Sequence, residues 1–107
     1  MYLLFCILHL AKPDRYFYRT ARVGQTVKFP CESNLVEDVH WKRMDTFLYI
    51  YRRGAIERGL ASRFTVDKNN SNMLTILNIT ANDSAVYECS EDGGLGSKRF
   101  YNLNVTG

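Results

Sequence analysis

Residues 82–92 read NDSAVYECSED, and the fold turns on how this stretch is read. Strand alternation puts Tyr87 and Cys89 on one face and Val86, Glu88 and Ser90 on the other. Asp83 stands four residues before Tyr87, just ahead of the strand and just past an alternating apolar run. A cysteine directed at a core in a short chain points to a disulfide, so its partner and its compartment both matter.

The chain of 107 residues is long enough for one domain with one core. Its formal charge of +3 is mild, and the basic residues are scattered, so no nucleic-acid footprint or anionic-membrane surface is indicated. There are three cysteines, Cys6, Cys31 and Cys89, an awkward count for a secreted protein. Cys6 lies in MYLLFCILHLA, an apolar opening too short to span a bilayer. It reads as a secretory signal peptide over residues 1–11, although no Lys or Arg precedes it. The alternative is an extra strand or helix docked on the domain. Removal of the opening leaves two cysteines and a domain over residues 12–107. No later stretch is apolar enough to cross a membrane, so a secreted chain or an ectodomain is expected.

From about residue 16 the pattern is all-β: short strand-like runs broken by turn residues, with the spacing of a sandwich or barrel. TVKFPCES (26–33) turns Val27, Phe29 and Cys31 inward, and DVHWKRM (38–44) groups Val39 with Trp41. TFLYIYRRG (46–54) is an aromatic and β-branched run ended by Gly54. SRFTVDKNN (62–70) dies in a polar turn, and NMLTILNIT (72–80) carries Leu74, Ile76 and Ile79. AVYECSED (85–92) and SKRFYNLNV (97–105) are joined by GGLG, a hairpin turn. An isolated helical turn fits around Asn82 to Ser84.

Cys31 and Cys89 lie far apart in sequence with Trp41 between them, and Tyr87 stands two before the second cysteine. This resembles the immunoglobulin fold, a Greek-key β-sandwich of two antiparallel sheets. SRFTV followed by LTILNITANDSAVYEC, and TFLYIYRRGAIERG as extra C′ and C″ strands, make the resemblance closest to the variable-type (V-set) domain, over roughly residues 16–106. The resemblance implies a Cys31–Cys89 bridge against Trp41, a Tyr87 hydroxyl bonded to backbone before strand F, and an Arg63–Asp83 pair across the bottom of the sandwich. A bridge closing nearly sixty residues stabilises by about 4 kcal/mol in the chain-entropy account. These residues hold the fold; function must lie elsewhere.

Catalysis has little support. His40 is the only histidine past the opening, no metal-ligand spacing appears, and the glycines of GGLG precede no helix. No cofactor is expected. Recognition of a protein partner fits better. With Trp41 inward, Lys42 and Met44 point out from strand C; with Tyr87 and Cys89 inward, Glu88 and Ser90 point out from strand F. If Leu48 and Ile50 are inward, Phe47, Tyr49 and Tyr51 point out from C′; if Leu103 and Val105 are inward, Phe100 and Asn102 point out from G. The resemblance places these strands in one G-F-C-C′ sheet, whose outer face the family uses to pair with itself or with another V-set domain. The bland alternative is that some rings cover an edge, or that the register differs by one.

The loops 32–38 and 90–98 are short, and the family's J-type FGxG motif fails because Gly94-Leu95-Gly96 lies too far before Val105. A germline-fixed receptor or adhesion module is therefore expected over a rearranged antigen receptor. The rivals are a spacer domain of a larger surface protein and a soluble decoy or modulator. Four N-x-S/T sequons, at Asn69, Asn78, Asn82 and Asn104, are glycan acceptors on a secreted chain. The first three map to the D–E side, opposite the expected face.

Overall fold

The structure, a computed structural model, describes residues 14–33, 39–91 and 96–107. Cys6, the apolar opening and parts of both short loops lie outside the described residues. Among the described residues nine strands form two sheets: β1 (Arg15–Arg22), β2 (Val27–Phe29), β3 (His40–Arg43), β4 (Leu48–Arg52), β5 (Ala55–Ile56), β6 (Phe64–Asp67), β7 (Met73–Ile76), β8 (Ala85–Ser90) and β9 (Lys98–Thr106). A 3₁₀ turn, Ala81–Asp83, precedes β8, one residue earlier than expected. The large sheet has the order β1-β9-β8-β3-β4-β5 and the small one β2-β7-β6. The strands expected as C, C′, C″, F and G are β3, β4, β5, β8 and β9. Pairing is antiparallel throughout except that β1 runs parallel to β9, so the large sheet is mixed.

The inward faces meet as the alternation required. Trp41 pairs with Cys89, and Tyr87 with Tyr101. Val27 and Phe64 flank Ile76, and Phe29 and Val66 flank Leu74. Phe29 stacks on Tyr101 at 4.6 Å between centroids, and Phe17 stacks on the same ring at 5.0 Å. The Cys31–Cys89 disulfide ties the sheets together beside the fully buried Trp41. The Trp41 indole N–H donates to the Asn72 carbonyl at 2.9 Å, so the largest core side chain carries no unmet polar atom. Asn72 itself is buried with φ +50°, a region that asparagine tolerates better than most residues. Its amide donates to the Ser33 carbonyl at 2.6 Å.

The lower end of the sandwich is closed by charge. The Arg63 guanidinium donates to Asp83 at 2.6 and 3.3 Å, as the register of SRF and NDSAVYEC required. The Asp83 carboxylate also accepts the Thr80 N–H at 2.8 Å, and its backbone carbonyl accepts the Tyr87 hydroxyl at 2.7 Å. Burial pushes the Tyr87 phenol up to about 12. Arg43 joins this end from β3: it donates to the Asn82 carbonyl at 2.8 Å and to Asp45 at 2.8 Å. The Asp45 bond raises the Arg43 pKa and holds the Asp45 carboxyl below its ordinary value.

Two expectations for β4 need correction. Tyr51, expected to point out, is 1% exposed. A bulge accounts for it: Trp41 pairs with Tyr51 while Lys42 pairs with Tyr49, so Ile50 and Tyr51 together oppose one residue, and both are buried. Leu48, expected inside, is 46% exposed, because it pairs with Arg43 at the open rim rather than over the core. The β4–β5 hairpin turns through Arg53-Gly54, both at positive φ, which matches the twist of the strands it joins.

Candidate functional site

On the outer side of the large sheet, register aligns Tyr16, Phe100, Glu88, Lys42 and Tyr49 in one row across five strands. At the usual strand spacing the row is about 19 Å long. Its ends are aromatic and its middle is charged. At one end Tyr16 stacks on Phe100 at 4.9 Å with the planes 9° apart. At the other, the Lys42 ammonium lies 5.5 Å from the Tyr49 ring and 6.0 Å from Phe47. The Arg52 guanidinium covers Tyr49 at 4.4 Å, and His40 meets the same ring edge-on at 5.6 Å. Such contacts hold the cations over rings while leaving their heads partly hydrated.

The expected contact residues divide into three groups. Phe47, Tyr49, Phe100, Asn102, Lys42 and Met44 lie on this outer side or at its rim, with Met44 donating its N–H to Val86 just past β3. Glu88 and Ser90 point the same way but are buried, a correction to their expected exposure. They sit at the sheet's centre between longer neighbours: Glu88 between Phe100 and Lys42, Ser90 between Lys98 and His40. The Glu88 carboxylate meets the Lys42 ammonium at 3.8 Å, so this buried acid is compensated by one cation. Tyr51 leaves the site altogether.

Phe47 is the most exposed of the expected rings at 70%, and its φ is +53°. A bulky residue in the left-handed region costs of order 1 kcal/mol or more, and here it closes the turn that leads into β4. Tyr16 and Tyr18 were missed. Both are exposed on β1, and with Val86, Phe100 and Asn102 they line a shallow groove of about 140 Å³. Their phase could not be read locally, because Tyr16, Phe17 and Tyr18 are all aromatic and both faces of β1 look apolar.

All four sequon asparagines are exposed. Asn69 lies in the β6–β7 turn, and Asn78 and Asn82 lie beyond β7 at the lower end. Asn104 sits on β9, two residues beyond Asn102 and on the same outer side of the large sheet. Among the described residues no helix is long and apolar enough to cross a membrane.

Comparison with solved structures places this architecture among immunoglobulin domains. The first domain of Dpr1, solved bound to the first domain of DIP-eta, is 27% identical, with 88% of this chain and 91% of that one covered and a TM-score of 0.67. The RIG-5 first-domain homodimer is 20% identical over 85% of this chain and 91% of that one, with a TM-score of 0.70. The CD2-binding domain of CD58 is 23% identical with a TM-score of 0.67; the match covers 84% of this chain and 53% of that one, so this chain spans about half its length. Comparison with curated proteins by sequence gave no match. The immunoglobulin V-set domain model matches residues 17–106, nearly the whole chain. With that match, the disulfide and the two-sheet core in place, the chain belongs to the V-set immunoglobulin family.

Proposed function

We propose that this V-set domain is a secreted or cell-surface recognition module that binds a protein partner through the outer face of β9, β8, β3 and β4. The partner is another V-set domain or a second copy of the chain; no reaction and no cofactor enter this reading. Residues 1–11 act as the secretory signal and the sequons as glycan acceptors. The observation that carries it is the run of rings at Phe47, which is exposed, and at Tyr49 and Phe100, which are half-buried, around a Lys42–Glu88 pair on one sheet. Rings and cations of this kind anchor interfaces, and a face this aromatic is a liability while uncovered. The Dpr1, RIG-5 and CD58 domains are described as partners of DIP-eta, of a second copy and of CD2 respectively, which favours a similar class of partner here.

The test is a panel of immunoglobulin ectodomains, with the chain itself included, screened against the bead-displayed domain. Tyr49→Ala and Phe100→Ala should each weaken binding by roughly thirtyfold, the cost of losing one central anchor. Asn78→Asp, at the lower end beyond β7, should bind as the parent does. Loss of binding by Asn78→Asp, with both ring variants unaffected, would assign recognition to the wrong part of the molecule.

A further inference from the structure

The end of the large sheet beyond Phe100 carries two features that protein docking does not use. Tyr18, at 79%, is the most exposed large apolar side chain among the described residues. Tyr16 is stacked on Phe100, whereas no described ring stacks on Tyr18. Its neighbour is Asn104, which opens the sequon Asn104-Val105-Thr106. The parallel pairing sets Tyr18 opposite Asn102 and Thr20 opposite Asn104. Tyr18 and Asn104 are therefore diagonal neighbours on one face, about 7–8 Å apart.

We propose that Asn104 carries an N-linked glycan whose first N-acetylglucosamine lies on the Tyr18 ring. One face of a pyranose is a patch of C–H bonds with slight positive charge, complementary to the negative face of an aromatic ring. The sugar's hydroxyls stay in water, so the contact covers the ring without burying an unmet polar group. Thr20, directly opposite Asn104, is small, so the first sugar can reach past it to the Tyr18 ring one diagonal step away. In sequence, Asn69 is in a polar turn, and Asn78 and Asn82 flank Ile79, Thr80 and Ala81, so none of the three has a ring next to it along the chain.

This deepens the proposed function and rests on it in requiring secretion. A glycan at Asn104 closes the β1 end of the sheet and confines the partner to Phe100 and the β3–β4 side. Phe100 keeps its β8 side toward the partner, because Tyr18 reaches it only from the β1 side.

The experiment uses the full chain behind a secretory leader in eukaryotic cells. Glycopeptide mass spectrometry reads occupancy at Asn104, with Asn104→Gln as the control. Thermal melts compare the occupied protein, the protein trimmed enzymatically to one N-acetylglucosamine, and Asn104→Gln, each with Tyr18, Tyr18→Phe or Tyr18→Ala. Occupancy in most molecules is expected. The single sugar should retain a melting temperature roughly 4 °C above Asn104→Gln with Tyr or Phe at position 18, and lose that margin with Ala. An unoccupied Asn104, or a margin that survives Tyr18→Ala, overturns the proposal. Both readouts are independent of partner binding, so failure of Tyr49→Ala to weaken binding would overturn the docking face alone.

Discussion

Arg63→Ala should cost more stability than Asp83→Asn, although the two changes break the same ion pair. The Asp83 side chain is 5% exposed and Arg63 is 37% exposed. Removing Arg63 strands a buried carboxylate with the Thr80 N–H as its one remaining donor, and leaves the Leu77 carbonyl without the two bonds it accepts at 3.2 Å. Arg43 is poorly placed to substitute, because it is engaged with Asp45 and the Asn82 carbonyl. An uncompensated buried charge costs about 3–5 kcal/mol. Asp83→Asn keeps an oxygen for the Thr80 N–H and leaves Arg63 in partial contact with water, which screens its charge. That change should cost about 1–2 kcal/mol. The gap of roughly 2 kcal/mol corresponds to about thirtyfold in the folding equilibrium. Urea unfolding at pH 7 followed by Trp41 fluorescence would measure both variants, and Arg63→Ala should lower the melting temperature by roughly 10–20 °C. Equal costs, or a cost below about 1 kcal/mol for Arg63→Ala, would refute the assignment of the buried charge to Asp83.

The Tyr87 phenol ionises only at about 12 in the folded chain, against its ordinary 10.0, so the folded state holds its proton longer. Stability should fall as pH rises between about 10 and 12, by about 3 kcal/mol in all, and Tyr87→Phe should flatten that part of the profile in alkaline melts. Tyr51→Ala empties a core site and should cost about 3–5 kcal/mol, whereas Tyr49→Ala should stay within about 1 kcal/mol of the parent; the reverse order in urea melts would restore the unbulged register. Phe47→Asn fits the left-handed backbone better and should raise stability by about 0.5–1 kcal/mol while weakening partner binding, so a loss of stability above 1 kcal/mol would argue that the ring is structural.

Residues that set the fold are those whose environment follows from strand phase and short spacing. Trp41, Tyr87, Cys89 and Leu103 alternate cleanly, and Asp83 and Tyr87 meet within one turn, so their places were readable. Tyr51 was misread because alternation assumes an unbroken register, and an inserted residue reverses the face of everything beyond it. Tyr16 and Tyr18 escaped because TYR-PHE-TYR carries no contrast between faces; only the parallel pairing with β9 fixes the phase. Asn72 sits in a run of polar turn residues that looks solvated. Its burial comes from Trp41, thirty-one residues away in sequence, whose indole seeks that carbonyl. The burial of Glu88 and Ser90 likewise depends on which long side chains stand on the flanking strands, a fact of pairing rather than of their own strand.

The most direct measurement of the central claim is hydroxyl-radical footprinting of the domain, free and bound to the partner the panel yields or to its own second copy. Oxidation is read residue by residue by mass spectrometry. Phe47, Tyr49 and Phe100 should be oxidised in the free domain and protected in the complex, while Leu77 and Val23, exposed away from that face, should react equally in both. Protection of Leu77 and Val23 with unchanged oxidation of the three rings would contradict recognition through the outer face of the large sheet.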